Sequence, residues 1–333
     1  VPQGIRRYHQ ELTVSNYLTF RILKGLFVVV LISVMTFIIM RLMPGDPVYL
    51  LLGEGQIPIT DAQIAAIRAK WGLDLPLHQQ YFVWAGNLLR GDFGTSLIRP
   101  GVPVRRMIFE AIPVTALLNL YAVTLALIIS IPLGVIAAVR RNSPIDYIAS
   151  AGSAFGIATP NFWLALMLIV LFALYVPRWI GDLPLIGRIP PFGIRSWQGW
   201  ILPVIVIATE EMAVLTRLTR GTVLELLPQD FVRTARSKGL AQRAILYRHI
   251  IANALLPIIT VVGFRVAFIL SGTIIVETVF AMPGIGRLFT DSVLRLDYQV
   301  VQSLVVVFAV LVVVINLLTD LIYALVDPRI RIA

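Results

Sequence analysis

Six long apolar runs punctuate this chain, and each predicts a membrane-spanning helix. They cover Ile22–Met40, Val114–Val139, Tyr147–Val176, Trp200–Leu218, Ala254–Phe280 and Val300–Val326, all close to or beyond the roughly 20 residues that cross a bilayer. Pro132 and Pro160 fall inside the second and third runs. A helix in lipid tolerates such a proline where neighbours satisfy the freed carbonyl. Between the first two runs lies a long loop with two helical patterns. In "TDAQIAAIRAKWG", Thr60 is placed as an N-cap, Ile64, Ile67 and Trp71 share a face, and Gly72 ends the pattern. In "LPLHQQYFVWAGNLLRG", Leu77, Tyr81, Trp84 and Leu88 recur at helical spacing between Pro76 and Gly91. A second outer loop is rich in Pro and Gly, with Trp197 and Trp200 placed to anchor the fourth span at the membrane interface. No internal repeat is visible, so an inverted-repeat transporter gains no support.

Composition agrees with the pattern. The 333 residues are 58% hydrophobic and 14% charged, against about 45–50% and about 25% for soluble domains. The net charge of +10 would suit nucleic acid in a soluble chain. Here, however, Lys and Arg sit in short clusters between apolar runs with no stacking aromatics among them, so the partner they imply is the lipid bilayer and not a nucleic acid. An even number of spans puts both termini on one side. That side collects Arg21, Lys24, Arg140, Arg141, Arg217, Arg220, Arg233, Arg236, Lys238, Arg243, Arg248, Arg329 and Arg331; the positive-inside bias makes it cytoplasmic. The first run lacks a small-residue cleavage site and reads as a retained span. Cysteine is absent, and His9, His78 and His249 show no metal-ligand spacing, so no metal site or thiol chemistry is expected.

The resulting layout is a cytoplasmic segment over 1–21, a first span over 22–40, an extracytoplasmic loop domain over 41–113, a five-helix core over 114–326 and a cytoplasmic tail over 327–333. Within the core, the loop 219–253 is strongly basic. After Pro228, Asp230 is placed to cap a two-turn helix, "FVRTARSK". Lys238 suits its negative end, and Gly239 supplies a left-handed stop. A second helix, "AQRAILYRHIIANALL", leads into span five. Phe231, Val232 and Ala235 form an apolar patch on the short helix, and Arg233, Arg236 and Lys238 carry its charge. Two turns are not stable alone in water, so this helix must pack on something. It either lies along lipid headgroups or docks a cytoplasmic partner.

"RTARSKG" followed by "NALLP" resembles the EAA-type loop of importer-class ABC-transporter permeases. Arg233, Thr234 and Ala235 occupy the Glu-Ala-Ala triplet, Gly239 the following glycine, and Leu256–Pro257 the ending. The arginine in place of glutamate and the long spacing from Gly239 to Pro257 resemble the oligopeptide/dipeptide branch. "RLMPGDPV", "GLDLPLHQQY", "GDFGTS", "ETVFAMPGIGRL" and "NLLTDLIYALVDPRIR" are similar, in order, to that branch's B-type subunit. The resemblance implies an all-α, six-span, type I importer permease in a bacterial or archaeal inner membrane. It implies a second permease chain, two cytoplasmic ATPases that hold ATP and Mg and grip the helix formed by Asp230, Phe231, Arg233, Thr234, Ala235, Arg236, Lys238 and Gly239, and an extracytoplasmic substrate-binding protein. The cargo would be di- or oligopeptides, or else nickel chelates, glutathione, opines or oligosaccharides. The chain has no GxxxxGK[ST] loop, so any ATP work lies on another polypeptide and this chain carries no catalytic residue or cofactor of its own.

Three charges fall at mid-membrane. Glu210 and Glu211 lie about 15 Å into span four, and Arg265 about 16 Å into span five from the other side. Such charges mark function by default. Either a carboxylate lines the substrate path, or Arg265 braces one Glu while the other is protonated or faces water. Glu277 and Asp320 belong to the resembled motifs and read as structural groups at span ends. A stand-alone secondary transporter or channel, with the Glu pair as a proton relay, is the reading from another class; a non-transporting scaffold would not need these charges.

Overall fold

The computed structural model describes residues 14–42, 74–179, 181–183 and 187–326. The "TDAQIAAIRAKWG" pattern, most of "RLMPGDPV" and both terminal segments lie outside the described residues. Within them, the chain is helical apart from short connections. Helix α1 is Val14–Leu42, α2 Leu77–Leu89, α3 Val104–Val139, α4 Pro144–Ala158 and α5 Asn161–Val170. The last runs on through a π-turn to Trp179. Helix α6 is Ile201–Leu226 and α7 Asp230–Ser237. Helix α8 begins at Gln242–Ile245, passes a π-turn at Leu246–Ile251 and continues as Ala252–Val279. Helix α9 is Ile285–Leu294 and α10 Tyr298–Val326.

Five stretches are long and apolar enough to cross a membrane: Thr19–Leu42, Val104–Val139, Asn161–Trp179, Gln242–Gly263 and Tyr298–Leu321. Helix α6 has the length, 26 residues, but Glu210, Glu211, Arg217, Arg220 and Glu225 keep its composition outside that set. It survives among apolar neighbours because α3, α4, α5 and α8 surround it. Leu202, Val206, Ala208, Leu215, Thr219 and Val223 are buried in those contacts. Small residues allow the approach: a Cβ on Gly134 would meet Thr219 at 2.6 Å, and one on Gly156 would meet Ala213 at 2.8 Å. The outward faces of α1, α4 and α5 expose Phe27, Ile148, Phe155, Phe162 and Leu174, as hydrocarbon contact requires.

Several helices depart from the pattern read in the sequence. The third apolar run is two helices and not one. Pro160 has no N–H, and its ring pushes Thr159 to extended backbone at ψ 118. The second span starts at Val104 and carries Pro113 as well as Pro132 inside it. The segment before Pro257 is not a separate helix but the start of α8, which runs through that proline. The short cationic helix is capped by Gln229, without a side-chain bond, and Asp230 is its first helical residue, where its charge still favours the positive end of the dipole.

Polar clasps fix the two ends of the bundle. At the end bearing α7, Arg21 bonds Asp320 at 2.9 Å, tying α1 to α10. At the opposite end, Arg41 bonds Gln80 at 3.0 Å and Ser33 bonds Tyr81 at 2.8 Å, joining α1 to α2, with the Tyr81 ring edge-on to Phe37 and Trp84 tilted against it. Asp297 binds the Ser96 hydroxyl and accepts from the Leu97 amide at 3.1 Å. Glu277, fully buried, accepts from the Thr115 hydroxyl at 2.6 Å and from the Gly286 and Arg287 amides at 2.8 and 3.1 Å. Those amides are otherwise unpaired donors in the first turn of α9, so a side chain from α8 caps it. Gly284 makes room, since a Cβ there would lie 2.3 Å from the carboxylate. Glu277→Ala strands two amides and a hydroxyl, at roughly 1–3 kcal/mol per buried group. A drop of several degrees in the unfolding midpoint of the detergent-purified protein is expected, and an unchanged midpoint would contradict the cap.

Candidate functional site

Two constellations concentrate charge where the fold can use it. The first is α7. Val232 is 1% exposed and Ala235 6%. They sit three residues apart on one helix face, within an apolar cluster that includes Val135, Ala138, Val223, Ile245 and Ile250. The ends of α3, α6 and the start of α8 therefore form the seat of α7. Phe231, the third member of the apolar patch, is 37% exposed. Asp230, Arg233, Thr234, Arg236, Lys238 and Gly239 all face outward. Asp230 and Arg233 form a loose pair at 3.8 Å, worth little at such exposure. The helix ends as predicted: Gly239 has φ +75, its amide donates to Arg236 O at 2.9 Å and the Leu240 amide to Ala235 O at 3.3 Å. This paired return is a Schellman stop, which needs a left-handed residue. The product is a short rigid rod with its apolar side seated and its cationic side presented.

The second constellation lies midway along α6. Arg265 of α8 donates from Nε to Glu211 Oε2 at 2.6 Å and from one terminal nitrogen to Glu211 Oε1 and Glu210 Oε1, both at 2.9 Å. Glu210 Oε2 also accepts from Asn161 Nδ2, at the start of α5, at 3.0 Å. The sequence reading set Arg265 against one glutamate; the structure brings it to both. The two carboxylates differ in setting, the Glu211 side chain being 8% exposed and that of Glu210 41%. Glu211 with Arg265 is a two-pronged brace between α6 and α8. Glu210 is its open edge. Since α6 and α8 also flank α7, the brace joins the two helices that carry the cationic rod.

Two partners escaped the sequence. Asn161 follows the break at Pro160, and Asp146 receives Arg220 through two bonds, the longer 2.9 Å. Asp146 also accepts the Asn142 amide at 2.9 Å, closing α4 onto α6. A signal for α4 existed: Ser143 caps it with Pro144 in the first turn. Nothing local announced that Asp146 would meet Arg220. Among the described residues, no cluster of three or more His, Cys, Asp or Glu could hold a metal.

Residues 130–332 match the binding-protein-dependent transport system inner membrane component, and residues 14–103 match the N-terminal segment of such membrane components. The chain belongs to this family of ABC-importer permeases. It is 40% identical over 327 residues to the oligopeptide transport system permease protein AppB of Bacillus subtilis (strain 168), covering 95% of this chain and 99% of that one. It is 37% identical to the probable peptide ABC transporter permease protein y4tP of Sinorhizobium fredii, and 36% identical to the glutathione transport system permease protein GsiC of Salmonella typhi, each over 95% of this chain and 99% of the relative. In fold it is similar to the inward-facing MetNI methionine ABC transporter, with a TM-score of 0.55, 16% identity, and coverage of 66% of this chain and 96% of that one. The protein is thus a multi-pass membrane permease, of a family that works with a binding protein and an ATPase.

Proposed function

We propose that this chain is one of two permease subunits of an ATP-driven importer of short peptides, with both termini and α7 on the cytoplasmic side. End-to-end similarity to peptide permeases, including the 40% identity to an oligopeptide permease, is the observation that carries the cargo class. A second, homologous permease chain completes the pathway. Two ATPases bind ATP and Mg and grip Asp230–Ser237, and an outer binding protein delivers the peptide.

The mechanism follows from how the rod is mounted. Its outward residues carry Arg233, Arg236 and Lys238 against the single Asp230, so a carboxylate-bearing ATPase cleft complements it. When the ATPases close, the rod moves as a unit because Val232 and Ala235 seat it on α3, α6 and α8. The Arg265 brace makes α6 and α8 tilt together. The two orientations differ in free energy only through contacts made in one and not the other, which the ATPase supplies at α7.

The test is affinity purification of the chain expressed with its neighbours. The wild type should retain an ATPase and a second permease. Gly239→Val puts a branched residue at φ +75, where no heavy atom lies within 4 Å of the new Cβ, so the effect is backbone strain at the stop alone. It should keep the second permease and lose most of the ATPase. Undiminished ATPase recovery, or peptide uptake by the chain alone under a proton gradient, would favour the stand-alone transporter instead.

A further inference from the structure

We infer that the groove where α4 and α5 run along α6 holds two charge stations for a zwitterionic short peptide, Glu210 for its ammonium and Arg217 for its carboxylate. This rests on the peptide-permease function proposed above and adds to it the residues that read the two ends of the cargo.

Three observations converge on the groove. First, the break between α4 and α5 leaves irregular backbone at Thr159 and Pro160, level with the Asn161–Glu210 contact at 3.0 Å. Non-helical backbone at membrane depth persists only against protein or a water-filled path, never against lipid. Pro160 is exposed on this chain, so that face meets water or the second permease. Second, two carboxylates share the single Arg265 guanidinium, and the open member is Glu210. A half-exposed carboxylate at this depth also requires an aqueous neighbour.

Third, Arg217 is exposed and, among the described residues, has no hydrogen bond or ion pair. It lines a cavity of about 350 Å³ together with Ser150, Ser153, Thr216 and Arg220. Arg220 is already neutralised by Asp146, so Arg217 is the surplus positive charge of this level.

The geometry suits a short peptide. Residues 210 and 217 fall on one stripe of α6, two turns apart, or about 10 Å along the axis. An extended chain advances about 3.3–3.6 Å per residue, so a tripeptide matches the separation of its own termini to that of the two stations. Between them Gly156 packs against Ala213, and Ser150 and Ser153 line the lower end.

The test uses the whole complex with its binding protein, reconstituted in liposomes, and three probes: tri-alanine, N-acetyl-tri-alanine and tri-alanine amide. The readout is the uptake ratio of the free peptide to each blocked one. Because the binding protein is the same throughout, a ratio that shifts between wild type and variant reports the permease. Glu210→Gln should reduce the preference over the N-acetylated probe about tenfold, the scale of one hydrogen bond to a charged group, while Glu210→Asp retains it. Arg217→Gln should do the same for the amide probe alone. If either ratio is unchanged in its own variant, the assignment is overturned. It is also overturned if the Arg217→Gln effect follows the anionic-lipid content and not the peptide carboxylate, which would make a headgroup phosphate the anion at that station. Should Glu210→Gln not assemble, the Arg217 arm decides, because that side chain supports no described contact. A wild type that moves none of the three probes removes the cargo class itself, and this assignment with it.

Discussion

Replacing Arg265 with leucine should prevent accumulation of folded complex. The guanidinium is the shared donor for Glu210 and Glu211 and the link between α6 and α8. Its loss leaves two carboxylates facing each other at membrane depth with only Asn161 as a remaining described partner. Removing one member of a buried pair costs about 3–5 kcal/mol, a large share of the 5–15 kcal/mol that stabilises a typical protein. Arg265→Lys keeps the charge but loses the fork that holds both Glu211 oxygens, so it should fall between. Arg265→Leu combined with Glu211→Leu should recover much of the folded yield, since an apolar pair can replace a buried ion pair at little cost. Yield on size-exclusion chromatography and the unfolding midpoint measure this. Normal yield from Arg265→Leu alone would mean that the cluster is hydrated well enough to need no brace.

Val232→Asp is expected to uncouple ATP hydrolysis from uptake without unfolding the spans. Val232 is buried in the seat beneath α7, and a carboxylate there has no described partner. Desolvating it costs several kcal/mol. The rod can avoid that cost by lifting from its seat, because a two-turn helix contributes little stability of its own. Uptake should fall by more than tenfold while the purified chain keeps its unfolding midpoint. Val232→Ala, which only trims the contact by about 1–2 kcal/mol, should give a partial loss. Wild-type uptake by the aspartate variant would show that force does not pass through this seat.

Five of the six apolar runs, the loop helix over Leu77–Leu89 and the cationic rod with its Gly239 stop were legible in the sequence. Each depends on residues a few positions apart: an apolar stretch of bilayer length, a Pro at a helix start, a Gly where the chain must turn left-handed. The departures share one cause. Pro160, Pro257 and Pro113 look alike in the sequence, yet of these three only Pro160 divides its helix, and a helix among packed neighbours can continue through a proline. Phe231, Val232 and Ala235 share an apolar patch in the sequence, and the rotation of α7 over α3 and α6 directs Val232 and Ala235 of the three inward.

By itself, then, the order of amino acids determined a polytopic membrane protein, its basic rod and the similar depth of Glu210, Glu211 and Arg265, because hydropathy and helical rise are local properties. Only the packed bundle decided that Arg265 serves both glutamates, that Asn161 steadies the open one, that Asp146 neutralises Arg220 and that Arg217 is left over. Which side chains meet across helices depends on how each helix is rotated and how closely small residues let it approach. Those quantities are set jointly by several helices and belong to no single one of them.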